Sequence, residues 1–432
     1  MTSNNSHPVV VIVGAGFGGV ELAKKLIGKP FSVLIIDKHN YHNFQPLMYQ
    51  VATGGLGPDS IAFPIRRIFR KARNVKFRVA EVHSVKADEK KLETSIGDIP
   101  YDYLVIATGS TTNFFGFDRI KENLLSLKSI PEALDMRSTI IQNIERAANK
   151  TDQKGAPQPI NIVIIGGGPA GVELAGALAE MRKYVLPKDF PELDFERMKI
   201  YLIEAAPKLL AFMSEAGSAK TYEYLEQLGV IVKVNSKVMD YDGAHVTIED
   251  GSIVDTQTVI WTAGVKGATI DGIPTDVLLP NGRIKTDEFN RVPGTERIFA
   301  IGDVAACITE ANPRGDAMLA PVAMQQGHLL AANLVRETKG EAPIPFVYKN
   351  KGVMATIGRR RAVVDLPNIR FQGAFAWYVW MFVHIMSLVG FRNKVITLVD
   401  WMINYVNYDR PLGLMIRPAR KIRKVIPNEN EQ

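Results

Sequence analysis

Two segments of this chain repeat one pattern, and that repeat constrains the fold more than any other feature. The first, VVVIVGAGFGGVELAKKL, begins at Val9, and the second, INIVIIGGGPAGVELAGAL, begins at Ile160. Each consists of an apolar, β-branched run, a glycine-rich turn and a helical stretch that carries alanine and leucine. Each is followed by a further apolar run that ends at an acidic residue, Asp37 or Glu204. The pattern predicts strand, turn and helix, twice.

Alternating apolar strands and helices are typical of an α/β fold, in which helices cover both faces of a parallel sheet. Because 432 residues exceed one ordinary core, we expect two Rossmann-like, dinucleotide-binding domains. The predicted limits are 1–115 with 286–345 for the first domain and 116–285 for the second. Residues 346–432 are aromatic and apolar and then basic, which predicts a C-terminal helical region.

The first glycine turn has the spacing that brings the main chain close to a pyrophosphate. Gly14, Gly16 and Gly19 fit G-x-G-x-x-G, where the glycines permit a tight turn, close approach to phosphate and close helix packing. The helix that follows offers main-chain N–H groups and the positive end of its dipole. Asp37 is placed to accept hydrogen bonds from a ribose. A merely tight turn is the alternative, but the flanking strand, helix and acid favour a nucleotide site.

The second turn presents Gly166, Gly168 and Gly171 in the same context, with Glu204 as the ribose acceptor. The longer spacing to Glu204 is explained by a helix extension and an inserted loop. A carboxylate at this position would repel a 2′-phosphate, which favours NADH over NADPH. Two dinucleotide sites in one chain imply a flavin and a nicotinamide that exchange hydride.

Two further stretches match the patterns of flavoprotein reductases that have two dinucleotide-binding domains. They are YDYLVIATGS, from Tyr101, and IFAIGDVAA, from Ile298. The resemblance implies that the first glycine turn and Asp37 bind FAD, with Thr108, Gly109 and Asp303 as further FAD neighbours.

A more specific resemblance covers essentially the whole chain. DKHNYHNFQPLMYQVATGGL, from Asp37, together with GPAGVELAGALAEM and YLIEAAPKLL, strongly resembles type II NADH dehydrogenases. The resemblance implies that Glu173 lies beside the nicotinamide and flavin and acts in nucleotide binding or proton handling. Its alternative is a residue favoured at a helix N-terminus by the dipole.

The resembling family marks its quinone pocket with A-Q-x-A-x-Q, and this chain has APVAMQ from Ala320. Gln325 carries over as a quinone residue, whereas Pro321 replaces the first glutamine; a helix-surface glutamine is the alternative for Gln325. The segment ATIGRRRAVVDL, from Ala355, implies a cation near the flavin, with Arg361 nearest that position. Three consecutive arginines in an exposed loop are an equal alternative.

The single cysteine, Cys307, excludes an internal disulfide and fits a reducing compartment. Sulfide:quinone and disulfide reductases share the expected fold but need paired cysteines, so their chemistry is excluded. The N-terminus lacks the pattern of a secretory signal, so we expect the protein in the cytoplasm. No metal site is predicted, because the histidines lack evident partner ligands.

The C-terminal region favours attachment to a membrane surface. Residues 374–391 are uncharged but carry tryptophans, and the next apolar stretch is too short to span. One crossing would put the basic tail outside, against the preference of Lys and Arg for the cytoplasmic side, so we expect none. The net charge of +7 and the basic residues after Arg417 suit either a solvated tail or anionic lipid, and no nucleic acid is expected. Part of this surface is expected to form a homodimer interface, as in the resembling family.

We therefore expect a peripheral enzyme on the cytoplasmic face of the cell membrane that transfers hydride from NADH to FAD and two electrons to a quinone. Proton pumping is not expected, since no intramembrane chain of carboxylates or lysines is visible. Two alternatives use the same cofactor sites: a soluble NADH reductase of an electron-carrier protein, and a non-catalytic redox sensor. The first would need no aromatic C-terminal segment, and the second would show no sustained turnover with quinone.

Overall fold

The computed structural model describes residues 7–151, 160–310, 312–407 and 414–416. They divide into two compact units, each described by itself below. Of the described residues, the first unit contains 7–43, 62–111 and 265–350, and the second contains 44–61, 112–264 and those from 351 onward.

A parallel sheet of five strands forms the centre of the first unit. Its order is Ile298–Ala300, Tyr103–Ile106, Val9–Val13, Ser32–Asp37 and Val75–Val79. Val10 and Ile12 belong to the core on one face, while Val11 and Val13 belong to the core on the other. Both faces of the sheet are therefore covered, which explains why its strands are apolar throughout.

Two helices of the first unit pack closely together, Phe17–Lys25 and Ala320–Thr338. A Cβ atom on Gly327 would lie 2.5 Å from the main-chain oxygen of Gly18, so the absence of a side chain permits this approach. The remaining elements are short, and they are Tyr41–Asn43, Ala62–Pro64, Ile65–Ile68, Val82–Lys86, Lys91–Thr94, Ile99–Pro100, Ser110–Thr112, Val265–Gly267, Ile284–Thr286 and Ala305–Cys307.

The second unit has its own parallel sheet, of four strands. Its order is Val230–Lys233, Ile200–Ile203, Ile162–Ile165 and Thr258–Trp261. The helices of this part are Ile130–Thr151, Pro169–Tyr184, Leu186–Asp189 and Glu215–Gln227. An antiparallel sheet of Val238–Tyr241, His245–Ile248 and Ile253–Asp255 completes it. The expected α/β class, with two parallel sheets, is confirmed.

The C-terminal part of the chain packs within the second unit. An antiparallel sheet of Val353–Thr356, Ala362–Asp365 and Arg370–Gln372 precedes the helices Ala374–Ser387 and Phe391–Asn407. Asp365 fixes this sheet, because its carboxylate accepts hydrogen bonds from the main-chain N–H of Ser214 at 2.6 Å and from its hydroxyl at 3.1 Å. Two short helices, Met48–Ala52 and Pro58–Ile61, also belong to this unit.

The two compact units and the expected domain limits differ most at three segments. Residues 265–285 lie in the first unit, where Ile284–Thr286 pairs with Ala305–Cys307. Residues 44–61, expected in the first domain, lie in the second unit, as does the C-terminal region expected to stand apart.

The uncharged stretch at 374–391 does not form one helix. Ala374–Ser387 ends before Gly390, whose φ of +87° lies in the left-handed region that favours glycine, and the next helix starts at Phe391. Among the described residues, no helix is long and apolar enough to cross a bilayer. The basic cluster after Arg417 lies outside the described residues.

Candidate functional site

The first glycine turn is built so that main-chain atoms approach one another where a side chain would collide. Gly14 has φ +107°, and a Cβ there would lie 2.2 Å from the main-chain oxygen of Ala107. A Cβ on Gly19 would lie 2.0 Å from the oxygen of Gly14, so helix and strand pack closely. At Gly16, which precedes the helix, no atom lies within 4 Å of that position. The turn therefore leaves open space at the helix N-terminus, as a pyrophosphate requires.

Asp37 ties this turn to the end of the neighbouring strand. Its carboxylate accepts hydrogen bonds from the main-chain N–H of Ala15 at 2.7 Å and of His39 at 2.8 Å. His42 is buried, and its Nδ1 lies 3.0 Å from the oxygen of Ala15. Burial lowers the pKa of His42, so a neutral ring donates to that oxygen. His42 and Asp37 thus both bond the main chain of Ala15 and fix the turn.

The other FAD neighbours expected from the sequence also come together in the first unit. The Thr108 hydroxyl donates to the main-chain oxygen of Ala268 at 2.6 Å, and Gly109 has φ +74°. The Ser110 hydroxyl donates to the carboxylate of Asp303 at 2.6 Å. Thr108, Gly109 and Asp303 thus belong to one hydrogen-bonded part of the first unit. The strand that precedes Thr108, Tyr103–Ile106, pairs with Val9–Val13, which ends just before Gly14.

The second glycine turn repeats this geometry in the second unit. Gly166 has φ +113°, and a Cβ on Gly171 would lie 1.9 Å from the oxygen of Gly166. No atom lies within 4 Å of a Cβ on Gly168, at the start of Pro169–Tyr184. Glu204 accepts hydrogen bonds from the main-chain N–H of Gly167 at 2.5 Å and of Ala206 at 2.7 Å. The two turns are equivalent in construction, each within its own unit.

Glu173 lies on the first turns of Pro169–Tyr184 and lines a cavity of the second unit. The cavity is lined by aromatic and polar side chains, which include Tyr49, Gln50, Trp377, Trp380 and Trp401. Glu173 is 7% exposed, and its carboxyl oxygen lies 3.4 Å from the main-chain N–H of Thr356. Burial raises the pKa of Glu173 to about 8, so the carboxyl holds a proton at neutral pH. It is therefore placed to exchange a proton with a molecule in the cavity.

The side chains of Arg359 and Arg361, in the arginine triplet, lie in two different places. Arg361, expected near the flavin, has its guanidinium 5.8 Å from the ring centre of Tyr224. Arg359 instead lines the cavity with Glu173, and its main-chain N–H donates to the carboxylate of Glu180 at 2.6 Å. Arg359, rather than Arg361, is the residue of this segment that the second unit places beside Glu173.

Two adjacent glutamines of Ala320–Thr338 have different environments. Gln325 is half-buried, and its amide donates to and accepts from the main chain of Lys349, both at 3.0 Å. Gln326, which the sequence did not single out, is fully buried and accepts a hydrogen bond from the N–H of Gly302 at 2.7 Å. Gln326 thereby fixes the Gly302–Asp303 turn. No local sequence signal marks this contact, because Gln326 and Gly302 lie 24 residues apart in the chain.

Among the residues that the structure describes, no group of three or more His, Cys, Asp and Glu side chains could hold a metal ion. Cys307 is buried, and desolvation raises the pKa of its thiol to about 12. The thiol is therefore a packing group rather than a nucleophile.

Two parallel sheets, each with a glycine turn and a strand-end acid, define a two-dinucleotide-domain oxidoreductase. The family model described as pyridine nucleotide-disulphide oxidoreductase matches residues 8–327, and the NDH2 C-terminal domain matches residues 350–407. The chain is 32% identical over 420 residues to the type II NADH:quinone oxidoreductase Ndh of Mycobacterium tuberculosis, covering 93% of this chain and 89% of the relative. The chain belongs to the type II NADH:quinone oxidoreductase family, as its sequence patterns predicted.

Other known proteins are also similar to this chain. The external alternative NADH-ubiquinone oxidoreductase of Yarrowia lipolytica is 28% identical over 477 residues, which covers 93% of this chain and 80% of that protein. The structure of NDH2 from Plasmodium falciparum in complex with NADH is similar in fold, with a TM-score of 0.84 and 21% identity over 94% of this chain and 99% of that chain. A sulfide:quinone oxidoreductase from Aquifex aeolicus has a TM-score of 0.70 at 20% identity, over 98% of this chain and 100% of that chain. The last two likenesses show the fold alone.

Proposed function

We propose that this protein is a peripheral membrane enzyme that carries hydride from NADH to FAD and two electrons on to a quinone. The observation that carries the proposal is the pair of equivalent glycine turns, each tied to a strand-end acid, in a chain that also has the C-terminal domain of this family. FAD supplies the ring system that accepts a hydride and releases two electrons to the quinone. The other roles in the reaction belong to residues of this chain.

The first unit suits FAD. Gly14 and Gly19 make the turn tight, and the open position at Gly16 admits the pyrophosphate. Asp37 and Asp303 would accept hydrogen bonds from the ribose and the ribityl chain. This division of roles follows the resemblance to the flavoprotein reductases and is supported by the hydrogen bonds that hold both carboxylates in place.

The second unit suits NADH. Gly166, Gly168 and Gly171 would hold the pyrophosphate, and Glu204 would bind the adenosine ribose and repel a 2′-phosphate. Glu173, which keeps a proton at neutral pH, is the proposed proton donor to the reduced quinone, and Arg359 replaces Arg361 as the proposed cation beside it.

For Gln325 we propose an indirect role in quinone binding. Both polar atoms of its amide are bonded to Lys349, so a direct hydrogen bond to a quinone would require these bonds to break. Gln325 would act by fixing the main chain at Lys349, which immediately precedes the C-terminal domain of residues 350–407.

The proposed location is the cytoplasmic face of the cell membrane, as a homodimer. Exposed apolar side chains on Ala374–Ser387 and Phe391–Asn407 support a surface contact with lipid. Aromatic rings such as Phe375, at 68% exposure, and Phe382, at 66%, would enter the headgroup region. We propose that the reaction is not coupled to proton pumping, so vesicles reconstituted with the enzyme should develop no pumped proton gradient while NADH is oxidised.

The deciding experiment is an anaerobic spectrum of the purified protein. NADH should bleach the yellow flavin absorbance, and a ubiquinone or menaquinone analogue added afterwards should restore it. A colourless protein, or a flavin that NADH does not bleach, would contradict the proposal. Steady turnover with quinone separates an enzyme from a redox sensor, and failure to reduce quinone while a carrier protein is reduced would favour a soluble reductase.

A further inference from the structure

The indole N–H of Trp380 is a buried donor that makes no hydrogen bond of ordinary geometry within the described chain. The residue is 2% exposed. A buried donor without an acceptor costs stability, so tryptophans in protein interiors nearly always have a partner. The N–H is therefore incompletely satisfied within the chain, and an acceptor on a bound molecule could engage it.

The nitrogen belongs to a cavity that can hold such a molecule. Trp380 lines the same cavity as Glu173. Its indole N–H interacts with the Glu173 carboxyl and opposes the rise of that group's pKa, but the two groups do not reach ordinary hydrogen-bond geometry. Trp377, Trp401 and Tyr49 supply further aromatic surface to the lining. A flat ring suits these walls, since aromatic side chains stack on planar ligands.

The indole is held in place by its neighbours. The ring of His384 stacks on it, with centroids 4.0 Å apart and planes at 25°, and the His384 Nδ1–H donates to the main-chain oxygen of Trp380 at 2.7 Å. Burial lowers the pKa of His384 to about 4, so the ring is neutral and adds no charge. The ring of Trp401 lies 5.8 Å from that of Trp380. Trp380 is thus preorganised, which reduces the entropy lost on binding.

We propose that Trp380 donates a hydrogen bond to a carbonyl oxygen of the bound quinone. The inference rests on the proposed function. A quinone carbonyl is an acceptor on a flat ring, which is what a fixed indole N–H in an aromatic cavity recognises. The protonated Glu173 offers a second donor in the same cavity, and the sequence has Pro321 where the family pattern has an amide donor.

The test measures the infrared carbonyl bands of a ubiquinone analogue carrying ¹³C at a single carbonyl, bound to wild type and to Trp380→Phe. Phenylalanine keeps the aromatic packing and removes the N–H. The band should lie lower in wild type than in Trp380→Phe, and the quinone KM should rise about tenfold in the variant, the effect of one lost hydrogen bond. Both carbonyls are labelled in turn, and identical bands for both in the two proteins would overturn the proposal.

A matched control removes an N–H that is already engaged. Trp401 lines the same cavity, but its indole donates to the amide oxygen of Gln50 at 2.7 Å, so Trp401→Phe should not move the quinone band. A parallel experiment labels the carboxamide carbonyl of NADH with ¹³C and measures its infrared band in the same proteins. If that band, and not the quinone band, changes in Trp380→Phe, the indole binds the nicotinamide and the proposal is wrong.

A third measurement needs no variant. In wild-type protein labelled with ¹⁵N at its indole nitrogens, the four tryptophans give separate signals, and the quinone analogue should shift the Trp380 N–H downfield. No shift at saturating quinone would overturn the proposal. If wild type does not oxidise NADH with quinone at all, the proposed function fails instead, and the two failures are thereby distinguished.

Discussion

Asp37 and Glu204 hold equivalent positions at the ends of strands in two different sheets, since Asp37 is the last residue of its strand and Glu204 directly follows Ile200–Ile203. Each carboxylate accepts a hydrogen bond from the residue that follows the first glycine of its turn, Ala15 in one case and Gly167 in the other. Each carboxylate also accepts a hydrogen bond from the main-chain N–H of the residue two places after it, which is His39 in one case and Ala206 in the other. The acid that would bind a ribose therefore also fixes the turn that would bind the pyrophosphate, so one substitution should weaken both contacts.

This equivalence predicts opposite cofactor phenotypes for two variants. Glu204→Gln should raise the KM for NADH by about tenfold to a hundredfold, because hydrogen bonds to a charged group are worth about 1.5–3 kcal/mol. Asp37→Asn should instead release FAD during purification. The flavin content and NADH KM of both proteins give the answer. The assignment of the two turns is wrong if Asp37→Asn keeps its flavin and Glu204→Gln loses it.

Gln326 should matter more for the flavin than its half-buried neighbour Gln325. Gln326→Leu leaves the N–H of Gly302 without its acceptor, which costs about 1–3 kcal/mol, and it loosens the turn that carries Asp303. We expect a lower melting temperature and loss of FAD on dilution. Gln325→Leu is the matched control, since it should keep FAD and change only the quinone KM. Equal flavin loss in both variants would contradict this division.

Glu173 should make stability depend on pH. Its folded-state pKa of about 8 exceeds the ordinary 4.5, so the folded protein keeps a proton that the unfolded chain releases between these values. Its contribution to stability therefore falls as pH rises through that range. The melting temperature of Glu173→Gln, relative to wild type, should increase from pH 5 to pH 8. Glu215→Gln, at a surface carboxyl 87% exposed, is the control. A difference that stays constant with pH would show that Glu173 does not titrate in this way.

The exposed aromatic face of the C-terminal helices should govern vesicle binding. Replacement of Phe375, Phe382 and Phe391 by serine should reduce partition into lipid vesicles at least tenfold, because burying one phenylalanine is worth about 1.5–3 kcal/mol. Ile253→Ser, on an antiparallel strand of the same unit and 63% exposed, is the control. Vesicles with and without anionic lipid separate apolar from electrostatic contact. If the triple variant binds as well as wild type while sedimentation shows that it no longer dimerises, the face is a dimer interface.

Local patterns were sufficient for part of this molecule. Each dinucleotide turn is encoded within a stretch of about forty residues, which contains the glycine spacing, the apolar strands and the acid at the strand end. The parallel pairing of these strands places the turn and the acid together, so the local sequence was enough to predict them. The family resemblance added Glu173. The arginine triplet shows the limit, because which of three consecutive arginines lines the cavity with Glu173 depends on the turn before Ala362–Asp365 and on its packing.

The sequence by itself determined the two dinucleotide turns, the α/β class and the family, because these depend on residues close together in the chain. Only the tertiary structure decided that Gln326 rather than Gln325 is buried, since adjacent helical residues point about 100° apart and packing against Phe17–Lys25 selects between them. It also decided that Glu173, Thr356 and Trp380 share one cavity. These residues are far apart in sequence, and only long-range packing within the second unit brings them together.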